Sequence, residues 1–158
     1  MPALEQTLHD LFVTKGLTLS TAESCTGGLL ASRITDVAGS SAYFIGGVVS
    51  YAYSAKEILL YVSHEALISQ GAVDEMVAKQ MARSIRERLG TDVAVSITGI
   101  AGPTGGTPEK PVGLVWIGLS DKEGEQAHRF VWNADRLGNK RLSTDAALEI
   151  LIAWAKGR

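Results

Sequence analysis

Cysteine occurs once in the 158 residues, at Cys25, so no disulfide can form within the chain. Histidine occurs three times, at His9, His64 and His128, and none stands at a metal-ligand spacing from another or from Cys25, which argues against a zinc site and reads His64 and His128 as surface or packing residues. Excess charge of either sign is missing too. Fifteen basic and 17 acidic residues leave a formal net charge of -2, with no electrostatic case for a nucleic-acid partner. No apolar run approaches the roughly 20 residues of a membrane span. The opening MPALEQTLHDLF carries acids among its apolar residues and no basic leader, which predicts a cytoplasmic protein with no membrane partner. No linker or internal repeat divides the sequence, so residues 1–158 are read as one domain.

What the chain does have is 46% hydrophobic residues in short periodic runs, punctuated by 17 glycines. Leu4, Leu8, Leu11 and Phe12 repeat at helical spacing before Gly16, predicting an amphipathic helix. LTLSTA predicts a strand that runs into Gly27-Gly28, followed by a helix with Leu30, Ile34 and Val37 inward, ending near Gly39. YFIGGVVSYAY predicts a second strand, after which Ser54, with Glu57 three residues on, forms a capping box whose helix carries Lys56 in its first turn. Ser63 and Asp74 are placed to begin two further helices, stopped by Gly71 and Gly90. DVAVSITG has the near-continuous apolar character of a strand buried on both faces. VGLVWIGLS and EQAHRFVW, joined by DKEG, predict an antiparallel hairpin, and NADRLGNKR leads into a last helix with Ala147, Ile150, Leu151 and Trp154 inward. This alternation predicts an α/β fold with a mixed, mostly parallel sheet between helices.

In such sheets, ligands collect at strand ends, where loops and helix N-termini present main-chain N–H groups. Three loops qualify: 23–28, 51–56 and 98–110. A serine needs a base and oxyanion donors to become a useful nucleophile. Ser24 has candidate donors in the N–H groups of Thr26, Gly27 and Gly28, and a candidate base in Lys56, an amine whose pKa would fall on desolvation, with Tyr51 to relay or orient the proton. GIAGPTGGTPEKP lacks the lysine-serine or lysine-threonine pair of a phosphate loop, yet its N–H groups and Lys110 could still wrap a phosphate. Each residue also has a structural use, as helix cap, solvated charge or strand-face aromatic, and residue type alone leaves both uses open.

Taken together, AESCTGG, VSYAYSAK and SITGIAGPTGGTPEKPVG resemble the signature blocks of the CinA C-terminal domain family, in order from about Leu17 to Gly118, with weaker likeness through the last helix. The family includes nicotinamide mononucleotide deamidases. The resemblance implies a three-layer α/β/α sandwich, a homodimer, and hydrolysis of the carboxamide of a small nucleotide substrate to nicotinate mononucleotide and ammonia, without metal or cofactor. It implies Ser24 as nucleophile, Lys56 as general base with Tyr51 as its partner, and Thr98, Gly99, Gly102, Gly105 and Gly106 bordering the substrate. Arg136 and Arg141 are the candidates for the basic residue that the family places near the start of the last helix. The family more often has an asparagine between the tyrosine and the lysine, where this chain has Ala52, Tyr53 and Ser54. The likeness is to the stand-alone form, implying a domain that acts alone.

Two rival readings follow from the same loops. Cys25 could be the nucleophile, with Glu23 and Lys56 completing a cysteine amidase, since thiolates are the stronger nucleophiles. Alternatively, the loops could bind a nucleotide without turning it over, as a sensing or interaction module related to competence or DNA damage.

Overall fold

A computed structural model of the chain describes residues 1–158. Its elements, in chain order, are α1 (Leu4–Lys15), β1 (Leu19–Glu23), α2 (Leu29–Thr35), a 3-10 turn (Ser40–Ala42), β2 (Phe44–Val49), α3 (Tyr53–Leu60), α4 (His64–Gln70), α5 (Glu75–Leu89), β3 (Val93–Gly99), β4 (Leu114–Asp121), β5 (Gly124–Val131) and α6 (Arg136–Lys156). The strands form one sheet in the order β2-β1-β3-β4-β5. β1 runs parallel to both β2 and β3, whereas β3–β4 and β4–β5 are antiparallel, so the sheet is mixed, with the hairpin as its far wing.

Helices cover both faces, and β3 is buried on both. Val93, Val95 and Ile97 face Leu8 and Phe12 of α1, Leu30 and Ile34 of α2, and Leu148 and Leu151 of α6. On the other side, Ala94 packs with Val77, Met81 and Ile85 of α5, Leu60 of α3 and Leu67 of α4. Burying a leucine or phenylalanine of this kind contributes roughly 2 kcal/mol. Alternate β3 residues Ser96 and Thr98 satisfy their buried hydroxyls on main-chain carbonyls, Ala78 at 2.6 Å and Ala72 at 2.8 Å. No helix is long and apolar enough to cross a membrane.

Several boundaries differ from the pattern reading. β2 ends at Val49 rather than running to Tyr53, and α3 starts at Tyr53 behind Ala52, so Ser54 lies inside the helix and does not cap it. Ser63 and Asp74 do cap, accepting from the N–H groups of Ala66 and Met76. α2 stops at Thr35, short of Gly39, where the chain tightens into the 3-10 turn. α6 begins at Arg136, because Asp135 accepts from the Gly138 N–H at 2.7 Å and caps it there, which draws GNKR into the helix. Its buried stripe is Ala147, Leu148, Leu151, Ile152 and Ala155. Ile150 and Trp154 sit only at its margin, Trp154 donating from Nε1 to Asp121 at 2.7 Å.

The topology decides where chemistry can collect. β1, β2 and β3 all end at the same edge of the sheet, β4 begins there, and β5 ends there to deliver the N-terminus of α6. The chain leaves β1 toward β2 on one side and later returns to β3 on the other. Such a reversal opens a crevice at the strands' carboxyl ends.

Candidate active site

Ser24 is the first residue beyond β1. Its N–H donates to the Ile97 carbonyl at 3.0 Å, carrying the β1–β3 ladder one step further, and the chain then turns sharply through Gly27 (φ 62°) and Gly28 (φ 98°), a left-handed pair suited to glycine. Beneath the turn lies Glu23, fully buried. One carboxylate oxygen accepts from Thr26 Oγ1 at 2.6 Å and from the Leu30 N–H at 2.9 Å; the other accepts from the Ala31 N–H at 3.1 Å. The carboxylate thus neutralises otherwise unpaired donors at the start of α2 and fixes the loop that carries Ser24.

Lys56 reaches the same point from α3. It is only 1% exposed. Its Nζ lies 2.8 Å from Ser24 Oγ, 2.6 Å from the Ser50 carbonyl and 3.4 Å from the Tyr51 carbonyl. Ser50 is itself pinned, its N–H donating to the Glu23 carbonyl at 2.8 Å, so β1, its serine and the lysine form one rigid assembly. Burial in this setting depresses the Lys56 ammonium from 10.5 to about 8. Among its contacts, only Ser24 can donate. A neutral amine has two hydrogens and one lone pair: the carbonyls take the hydrogens and the lone pair faces the serine hydroxyl.

Cys25, beside the serine, is 7% exposed, and burial pushes its thiol up to about 11 despite the cationic Lys56 and Lys140 nearby. It is therefore a thiol at neutral pH, and Glu23, occupied by Thr26 and α2, does not partner it. The arrangement removes the support for a cysteine amidase.

A cleft of about 260 Å³ opens over this pair, and Ser24, Tyr51, Lys56, Thr98, Gly99, Gly102, Gly105 and Arg136 all line it. No carboxylate does, and the cleft's cations are Lys56 and Arg136. Arg136 donates to the Gly102 carbonyl at 2.8 Å and to the Tyr51 hydroxyl at 3.0 Å, tying three chain segments together. The other lining residues are Cys25, Ala72, Val73, Ile100, Ala101 and Thr104; pattern reading singled out none of the last three within the glycine-rich loop and missed Ala72 and Val73, which come from the α4–α5 turn, where no motif stands.

Other expected contacts are corrected by the geometry. Tyr51 is 60% exposed and its hydroxyl meets Arg136; only its main-chain carbonyl touches Lys56, so the expected contact between the hydroxyl and the lysine amine is not made. The Gly27 N–H is occupied, donating to the Ser24 carbonyl at 3.0 Å, whereas those of Cys25, Thr26 and Gly28 have no acceptor in the chain. The Thr98 hydroxyl is used on Ala72. Gly106 lies outside the cleft lining, and Lys110 bonds the Gln70 carbonyl at the end of α4, a helix C-terminus that favours a cation. Arg141 stands apart, in a hollow with Leu29, Arg33, Leu137 and Lys140. A larger groove of about 540 Å³ between α4 and α5 holds Glu65, Asp74 and Glu75 and none of the reactive residues.

The CinA C-terminal domain profile matches residues 1–154. The chain belongs to the CinA C-terminal domain family. It is 53% identical over 146 residues to a CinA-like protein of Salinibacter ruber, covering 92% of this chain and 35% of that one. It is 44% identical over 155 residues to a putative competence-damage inducible protein of Halothermothrix orenii, covering 98% and 38%. The chain thus spans little more than a third of these curated relatives. Solved CinA structures match it nearly end to end. The competence/damage inducible protein CihA of Agrobacterium tumefaciens superposes with a TM-score of 0.91 at 41% identity, covering 97% of this chain and 96% of that one. A CinA superfamily protein of Klebsiella pneumoniae gives 0.94 at 30% identity, covering 98% and 97%.

Proposed function

We propose that the chain is a serine amidohydrolase that converts nicotinamide mononucleotide to nicotinate mononucleotide and ammonia, as the resemblance of its three loops to CinA-type deamidases implies. The observation that carries this reading is the placement of the Lys56 amine: buried, easily deprotonated, 2.8 Å from a serine hydroxyl and otherwise in contact with two carbonyls, so that the neutral form keeps its lone pair for the serine. Neutral Lys56 takes the Ser24 proton as Oγ attacks the carboxamide carbon. The resulting oxyanion meets main-chain N–H groups of the 25–28 turn, of which Cys25, Thr26 and Gly28 have theirs unpaired. The Lys56 ammonium then protonates the leaving nitrogen, ammonia departs, and a nicotinoyl ester remains on Ser24. Lys56, neutral again, takes a proton from water, whose hydroxide cleaves the ester and restores the serine.

Arg136 and the glycine-rich loop hold the ribose phosphate, supplying binding energy remote from the bond that breaks. A cleft without carboxylates suits that anion. Exposed Tyr51, bonded to Arg136, orients the guanidinium rather than moving a proton. The test is ammonia release from purified protein given nicotinamide mononucleotide and, separately, free nicotinamide. Catalytic release from the mononucleotide, much weaker from the free base and lost in Ser24→Ala, is expected. Saturable nucleotide binding with no ammonia would instead make the domain a sensing module.

A further inference from the structure

Below the glycine-rich loop runs a polar chain that the reaction above does not use. Asn139 of α6 is 1% exposed. Its Nδ2 donates to the Ala101 carbonyl at 3.0 Å, and its Oδ1 accepts from the Ala134 N–H at 3.1 Å. Ser143 Oγ donates to the Asn139 carbonyl at 2.7 Å and accepts from Trp132 Nε1 at 3.0 Å. One turn before Asn139, Arg136 holds the next carbonyl of the loop, that of Gly102. α6 therefore grips two successive carbonyls of the cleft wall. Burying an amide side chain is unfavourable unless its groups are paired, and here both ends are paired, with the donor end directed at the loop.

The grip has a geometric consequence. The Ala101–Gly102 peptide is trans, so its N–H points opposite to its carbonyl. With the Ala101 carbonyl drawn toward buried α6, the Gly102 N–H is turned the other way, and it has no acceptor in the chain. Gly102 lines the cleft, adopts φ 85°, and would place any Cβ 2.4 Å from Val112 Cγ1, so only glycine fits there.

We propose that Asn139 is a positioning residue for the anionic end of the substrate: by fixing the Ala101 carbonyl it presents the Gly102 N–H beside the Arg136 guanidinium, and the two donors together seat the phosphate. The proposal rests on the nucleotide reading of the cleft and adds a residue that touches no substrate. Its test uses ribose 5-phosphate, which carries the phosphate but no amide. Titrated into the native protein, ribose 5-phosphate shifts the Gly102 amide resonance. Asn139→Leu binds it about tenfold more weakly by calorimetry, the effect of misdirecting one hydrogen bond to a charged group. In turnover, the variant raises KM for the mononucleotide by a similar factor and leaves kcat within about twofold, a split that general loosening of the fold would not produce.

An unmoved Gly102 amide in the native protein overturns the proposal, and so does a folded Asn139→Leu that binds ribose 5-phosphate as tightly as the parent. If Asn139→Leu fails to fold, the native titration decides alone. Gly102 responding to ribose 5-phosphate without any ammonia from the mononucleotide would keep the phosphate seat and remove the deamidase; turnover with a silent Gly102 would do the reverse.

Discussion

Replacing Lys56 with methionine should stabilise the fold at neutral pH while ending catalysis. An ordinary lysine titrates near 10.5 and this one near 8, a difference of about 3 kcal/mol in the relative free energies of its charged and neutral forms. At pH 7 the group is protonated both folded and unfolded, so the whole penalty of burying its charge is present. Between pH 8 and 10.5 the folded protein has released the proton and the unfolded chain has not. The unfolded state then binds more protons, so stability rises with pH through this window by about 3 kcal/mol. Above 10.5 both states are neutral and the penalty is gone. Cys25, held neutral until about 11, gives Lys56 no counter-charge across most of that range.

Methionine keeps the length of the chain and removes the charge, but it leaves the Ser50 carbonyl and Ser24 hydroxyl without their partner, a loss of about 1–2 kcal/mol. The net expectation at pH 7 is a variant more stable than the parent by about 1–2 kcal/mol. That advantage reverses by pH 10. Urea midpoints of both proteins at pH 7 and pH 10 measure it, and other titrating groups cancel in the difference. A variant less stable than the parent at pH 7, or a difference that does not change with pH, would refute the reasoning. The same ionisation should appear in turnover: kcat/KM rises with pH through an inflection near 8, since only the neutral amine accepts the serine proton.

Glu23→Ala should lower stability by about 2 kcal/mol, because three donors lose their only acceptor, and urea unfolding will show it. Cys25→Ser should keep most of the turnover, and the native thiol should react slowly with alkylating agents at pH 7, readable by mass spectrometry; rapid alkylation that stops turnover would restore the cysteine reading. Arg136→Ala should raise KM for the mononucleotide about tenfold or more, with a smaller change in kcat, as loss of a charged phosphate contact requires.

The alternation of strands and helices was legible because its signals are local: the apolar run of β3, the caps at Ser63 and Asp74, and the glycines that end α1, α4 and α5. The pairing of Ser24 with Lys56 could be anticipated because Ser24 directly follows β1 and Lys56 stands in the first turn of the helix after β2, and the two parallel strands end on one edge. What escaped was set by tertiary packing. Nothing near Tyr51 indicates that its hydroxyl turns toward a guanidinium 85 residues away, and Lys110 is drawn to the end of α4 only because the folded loop passes there. Ser54 matched a capping box, yet the N-cap falls two residues earlier, at Ala52. Glu23 looked like a possible catalytic acid, and its use beneath α2 depends on the turn made by the two glycines after it. Asn139 sits in a helix interior with no motif around it; its role is visible only once Ala101 lies above it.

The central claim is a covalent bond between the Ser24 hydroxyl and the acyl group of the substrate. Purified protein mixed with nicotinamide mononucleotide, quenched in acid during the first turnovers and digested for mass spectrometry, should carry a pyridine-3-carbonyl nucleotide ester on the peptide containing Ser24. Ammonia released without any such adduct, or an adduct found on Cys25, would contradict it.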